Sequence, residues 1–171
     1  MQMYCYHDTE ENHKRLAEGH CRCQVGDTHV FKLHRMIVHG QILDPYTHNQ
    51  PLGTPEVPPH FSEAYRPGQF IYAVSDDFEI RIALDCDRRA YSTSVKHETL
   101  FHNADVRAAG EIFFEDGLVV DVNDASGSYG TRDAMDTDPD FVVAILTAID
   151  KHKIPTAPQL LEILRDRVEQ P

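Results

Sequence analysis

The sequence predicts an α+β domain: an antiparallel sheet built from two β-hairpins, with N-terminal helices and two C-terminal helices packed on it. Three observations predict it. Apolar residues alternate with polar ones on both sides of a turn within residues 69–84. A second alternating pair surrounds Asp116-Gly117. After residue 138, apolar residues recur at helical spacing in two separate segments.

The first element expected is a helix over residues 8–19. Asp8 is placed to cap it, Glu11 stands three residues on as in a capping box, and Gly19 ends it. The link H-C-R-C-Q-V-G-D reads as a turn. In the stretch that follows, Val30, Leu33, His34, Ile37 and Val38 fall near helical spacing, with Gly40 as the stop. The same residues have high strand propensity, but the spacing favours a helix.

Residues 44–68 hold six of the ten prolines. Proline lacks an amide donor and disfavours helix at its predecessor, so a long loop or linker is expected. It divides the chain into an N-terminal helical segment with a proline-rich loop (1–68) and an α+β core (69–171). The first part is expected to pack on the second as a wrap or lid.

In the first hairpin, Phe70, Tyr72 and Val74 alternate before Ser75-Asp76-Asp77. Phe78, Ile80, Ile82 and Leu84 alternate after it, with Glu79 and Arg81 on the opposite face. The second hairpin runs over 111–115, turns at Asp116-Gly117 and returns over 118–122. Asp-Gly is a strong two-residue turn signal because both residues tolerate positive φ. One helix is expected from Asp138-Pro139, with proline at a favourable first position, to about Lys151. The last starts near Pro158 and carries Leu160, Leu161, Ile163, Leu164 and Val168.

With 171 residues the chain suits one domain, or a domain with a small appendage. Its formal net charge of -12 repels nucleic-acid phosphate and suits a basic protein partner. No run of about 18 apolar residues is present, so no membrane span is expected. The first residues, M-Q-M-Y-C-Y-H-D, lack the basic and apolar regions of a classical signal peptide. The expected location is the cytoplasm of the producing cell, or outside it by a route that needs no such peptide. Four cysteines are too few for a disulfide scaffold in a chain this long.

Eight of the eleven histidines lie in the first sixty residues, near Cys5, Cys21 and Cys23. Cys5, His7, His20, Cys21 and Cys23 are zinc-ligand types, but no C-x-x-C pair occurs and no metal site is assigned. Scattered surface histidines and partly buried thiols are the plainer reading. Tyr91-Ser92-Thr93-Ser94 resembles the Ser-Thr-Ser strand of mono-ADP-ribosyltransferases, with Arg81 and Glu111 or Glu115 at the companion positions. The separation from serine to glutamate is short for that fold, and a polar strand start is preferred. His97 lies beside Glu98, a combination suited to proton transfer near neutral pH, although an isolated histidine is more often structural. Ser126, Ser128 and Tyr129 offer hydroxyls, while Gly127 and Gly130 allow close backbone approach. Successive amides in such a loop can cradle phosphate, or the loop can simply join strand to helix.

Lys96-His97, Ala108-Ala109-Gly110-Glu111, Asp116-Gly117 and Ser126-Gly127-x-Tyr129 stand in register with a known pattern: K-H-S-S, A-A-G-E, D-G, S-G-H-Y. The chain thereby resembles a module of plant IQ-motif calmodulin-associated proteins and of C-terminal domains in bacterial toxins and effectors. It is also similar to the effector phosphoryl-AMPylase family. The resemblance covers about residues 69–150. Three positions depart from it: Glu98 and Thr99 replace the paired serines, and Ser128 replaces the histidine of S-G-H-Y.

The resemblance implies a bacterial effector- or toxin-type domain that modifies a target protein with a nucleotide. Adenylyl transfer from ATP comes first and ADP-ribosyl transfer from NAD second. The implied catalytic residues are His97 as base or orienter, Thr99 as a hydroxyl donor, and Glu111 to orient a partner group or bind ribose. Ser126, Gly127, Ser128 and Tyr129 would hold the nucleotide. The departures imply an alternative, a non-catalytic protein-binding module of the same fold that has lost the catalytic residues.

Overall fold

The computed structural model describes residues 1–4, 30–45, 50–54, 68–84 and 95–169. The expected helix over 8–19, the Cys/His cluster, Ser92–Ser94 and most of the proline-rich stretch lie outside the described residues. Along the chain run β1 (Phe31–Lys32), a 3-10 turn (Leu33–Met36), β2 (Ile37–Val38), β3 (Gln41–Ile42), β4 (Gln69–Val74) and β5 (Ile80–Ala83). Then follow α1 (His97–Leu100), β6 (Ala108–Glu115), β7 (Leu118–Val122), α2 (Ala134–Thr137), α3 (Pro139–His152) and α4 (Pro158–Glu169). Five strands make one antiparallel sheet in the order β1-β5-β4-β6-β7, and β2 pairs with β3 separately. The fold class is α+β, and the two expected hairpins form the body of the sheet. They join edge to edge, with Tyr72 of β4 opposite Gly110 of β6.

Both faces of the sheet are covered. On one, Phe70, Tyr72, Val74, Ile82 and Ile112 meet Phe141, Ile145 and Leu164 of α3 and α4. On the other, Ile71, Ala73 and Ala109 meet Leu100 of α1 and Tyr129 of the loop after β7. The alternation expected in β4 is therefore incomplete: all of Phe70 to Val74 is buried. A strand covered on both faces is apolar at every position, as F-I-Y-A-V is.

The helix expected over 30–38 is not formed. Phe31 and Lys32 pair with Ile82 and Arg81 at the sheet edge instead. Leu33 and Met36, three residues apart, bury from a single 3-10 turn, whose i and i+3 side chains eclipse. His39 and Gly40, with φ of 50° and 79°, make a two-residue hairpin turn between β2 and β3. Gly40 is thus a turn residue and not a helix stop. One helical turn and two strand pairs mimic helical spacing over nine residues. Leu33, Ile42 and Leu52 enter the same core as Phe70 and Phe141.

The Asp116-Gly117 turn is as expected, with φ of 47° and 80°. It is also a docking point: Gly117 donates its amide to Leu52 O (2.8 Å) and accepts from Ile42 N (3.0 Å). A side chain there would be disfavoured by the positive φ and crowded, since a Cβ would meet Gln41 Cβ and Ile42 O at 3.2 Å. α3 begins where Asp138 caps it through Asp140 N, with Pro139 at the first position. It ends at Lys153, which takes the left-handed conformation more often filled by glycine.

Candidate functional site

The two flanks of the second hairpin meet on the sheet face opposite α3. α1 is a single turn, formed because Lys96 N donates to Thr99 Oγ1 (3.2 Å) and Thr99 N to Lys96 O (2.9 Å). Thr99 is thereby a capping residue that keeps the turn closed. The turn faces β4 and β5, and all four of its residues are buried. His97, 7% exposed, sets Nε2 2.9 Å from Gly110 O. A carbonyl only accepts, so Nε2 carries the hydrogen and a neutral His97 has Nδ1 as its basic nitrogen.

The next residue makes the link between the flanks. Ser128 Oγ donates to Glu98 Oε2, with Glu98 2% exposed and Ser128 fully buried. These are two of the positions at which the chain departs from the pattern it resembles. The serine of the pattern is a glutamate, its histidine is a serine, and the two substituted side chains are in contact. Nothing in local spacing shows that residues 98 and 128 touch.

The remaining loop residues are held in the same way. Tyr129 donates its hydroxyl to Ala104 O (3.0 Å). Burial pushes this phenol well above its ordinary value, and the nearby Glu98 and Asp105 charges add to the shift. Ser126 N donates to Asp124 O (2.9 Å), and Ser126 Oγ is buried with no partner among the described residues. Gly130 and not Gly127 takes positive φ in this loop. Thr131, which no sequence motif marks, is fully buried; its Oγ1 lies 2.9 Å from Ala109 O and 2.7 Å from Asp124 O. It ties the loop to β6.

Glu111 lies apart from this buried set, half-buried on β6. Its carboxylate accepts from Gln69 Nε2 (3.1 Å) and Asn123 Nδ2 (3.0 Å). Its amide donates to Asn123 Oδ1 (2.9 Å). Gly110, beside it, explains the third residue of the A-A-G-E match: a Cβ there would lie 2.0 Å from Asn123 O. Asn123 O also accepts the Tyr72 hydroxyl at 3.0 Å. Tyr72 is fully enclosed, and burial followed by the Asp124 charge raises its phenol well above the ordinary value.

The structure therefore brings Glu98, His97 and Ser128 together through β6 and the loop after β7. It places Thr99, Ser126 and Tyr129 in the same buried region and leaves Glu111 on a neighbouring, more open part of β6. Arg81, the companion position in the ADP-ribosyltransferase reading, is bound to Glu79 (2.7 Å) and Leu100 O (3.1 Å). Among the described residues no group of three or more histidine, cysteine, aspartate or glutamate side chains is arranged to hold a metal. No described helix is long and apolar enough to cross a membrane.

No protein-family model, curated protein or solved structure matches this chain.

Proposed function

We propose that the chain is a non-catalytic protein-binding module with an effector- or toxin-type fold. The contact between Glu98 and Ser128 carries this proposal. The pattern the chain resembles has a serine and a histidine at these positions. Here a carboxylate and a hydroxyl stand in their place, hydrogen-bonded to each other. The bond ties α1 to the loop after β7, and position 128 offers no imidazole for acid–base chemistry. The other motif side chains point the same way. His97 Nε2 is spent on Gly110 O, Thr99 on its own turn and the Tyr129 hydroxyl on Ala104 O. The partner would be a protein with a basic surface, in keeping with the net charge of -12.

Adenylyl or ADP-ribosyl transfer to a target protein is the second reading. It is favoured by Glu111, a half-buried carboxylate oriented by two amides. The two readings separate on incubation with labelled ATP and, in parallel, labelled NAD, in a cell lysate. The binding-module reading expects neither label to be transferred or hydrolysed above a buffer blank. Transfer by the wild type that Glu111→Gln abolishes would overturn it and restore the enzyme. Glu111→Gln is the better variant than His97→Ala, because glutamine keeps the shape of a half-exposed residue while His97 is part of the core.

A further inference from the structure

We infer that the cleft at the β1 edge of the sheet binds a small phosphorylated molecule with an apolar body, of about mononucleotide size. The cleft measures about 680 Å³, within the ordinary range for small-molecule sites. It lies between β1, the 3-10 turn, β5 and the residue after Phe101, and none of the Glu98–Ser128 tie lines it.

Its charge is the reverse of the chain's. Acidic residues outnumber Lys and Arg by 28 to 16 overall, yet among the described residues Lys32, Arg35 and Arg81 line the cleft with one carboxylate, Asp44. Two of these cations are fixed in place. Glu79 bridges Lys32 Nζ (2.6 Å) and Arg81 Nε (2.7 Å). Burial alone would raise the Glu79 carboxyl, but the hydrogen bonds from Lys32 and Arg81 outweigh it and hold it below its ordinary value. The Arg81 guanidinium is further held over the Phe101 ring, 4.5 Å from its centroid, and by Leu100 O. One carboxylate thus orders two cations and neutralises one. Arg35 is exposed on the 3-10 turn and has no ion-pair or hydrogen-bond partner among the described residues.

Phosphate fits this set better than a neutral polar group. Arginine presents a planar fork of donors and lysine a point charge, the two modes by which phosphate oxygens are bound. The rest of the described lining is largely apolar. Phe31, Met36 and Leu43 belong to it, and Val38 is 42% exposed although it is a β-branched aliphatic residue. An aromatic or aliphatic body would cover that surface while its phosphate reached Arg35 and Lys32.

Calorimetric titration of the full chain tests this with AMP, phenyl phosphate and adenosine. AMP and phenyl phosphate are expected to bind and adenosine not. Arg35→Ala is expected to weaken AMP binding about tenfold, the loss of one charge-assisted contact, with an unchanged melting temperature. Arg165→Ala, an equal change of charge on α4, should leave binding unchanged. The site is overturned if neither phosphate binds at millimolar concentration, if adenosine binds as well as AMP, or if Arg165→Ala weakens AMP as much as Arg35→Ala. Equilibrium binding needs no turnover, so the outcome is independent of the labelled-transfer result.

Discussion

Gly110→Ala is expected to loosen the centre of the motif region. The added Cβ would lie 2.0 Å from Asn123 O, 2.7 Å from Asn123 C and 3.0 Å from Asp124 Cα, all backbone atoms. Real Cβ atoms essentially never approach closer than 3.0 Å, so β6 and the start of the loop must separate by at least 1.0 Å. Three hydrogen bonds hold Asn123 against β6 and β4. Asn123 N donates to Glu111 O (2.9 Å), Glu111 N to Asn123 Oδ1 (2.9 Å) and Tyr72 Oη to Asn123 O (3.0 Å). A displacement of that size carries all three out of range. At about 0.5–1.5 kcal/mol net for each, their loss amounts to roughly 3 kcal/mol. Overpacking a tight site falls in the same range, about 1–3 kcal/mol. For a chain of this length the melting temperature should drop by about 6–12 °C. The urea midpoint should fall by about 1.5 M if the slope is about 2 kcal/mol/M. A midpoint shift below about 0.3 M, with the slope unchanged, would show that the strand and loop part freely and that the close approach at Gly110 does not hold them.

Three further perturbations follow from the same geometry. Glu98→Ser and Ser128→His should each destabilise the fold by about 1–3 kcal/mol, and the double variant should recover at least about 1 kcal/mol of the sum. Additive urea midpoints in this double-mutant cycle would sink the idea that the two positions are exchanged as a pair. Lys153→Gly relieves a left-handed residue at φ 52° and should raise stability by about 1 kcal/mol, read as a higher melting temperature. The Asp150–Lys153 ion pair lost with it is exposed on both sides and contributes little. His34 stacks on His152 with ring centroids 4.4 Å apart, and its pKa is lowered from 6.5 by burial first and by His152 next. A base with a depressed folded pKa contributes stability that is present above pH 6.5 and lost as pH falls through the folded value. His34→Phe should therefore flatten the fall in melting temperature below pH 6.5, and an unchanged slope would refute the assignment.

Much of the fold was legible because its signals are local. A two-residue hairpin turn requires positive φ at both positions, and Asp116-Gly117 tolerates it at both. Asp138-Pro139 caps and starts a helix whatever surrounds it. The segment after Val30 misled because one 3-10 turn between two short strands places apolar residues where a helix would. Pairing with Ile82 and Arg81, which lie some fifty residues away in sequence, decided the outcome.

The candidate site divides along the same line. The sequence by itself determined that motif residues flank a hairpin, that the chain is strongly acidic, and that positions 98, 99 and 128 depart from the pattern it resembles. Only the tertiary structure decided that Glu98 and Ser128 are partners, that His97 is spent on a β6 carbonyl, and that three cations gather in one cleft of an acidic protein. The physical reason is that a turn or a cap is satisfied by neighbours in sequence. A buried carboxylate or an imidazole takes its character from whatever the fold brings against it, here residues of strands and loops joined by the pairing of β4 with β6.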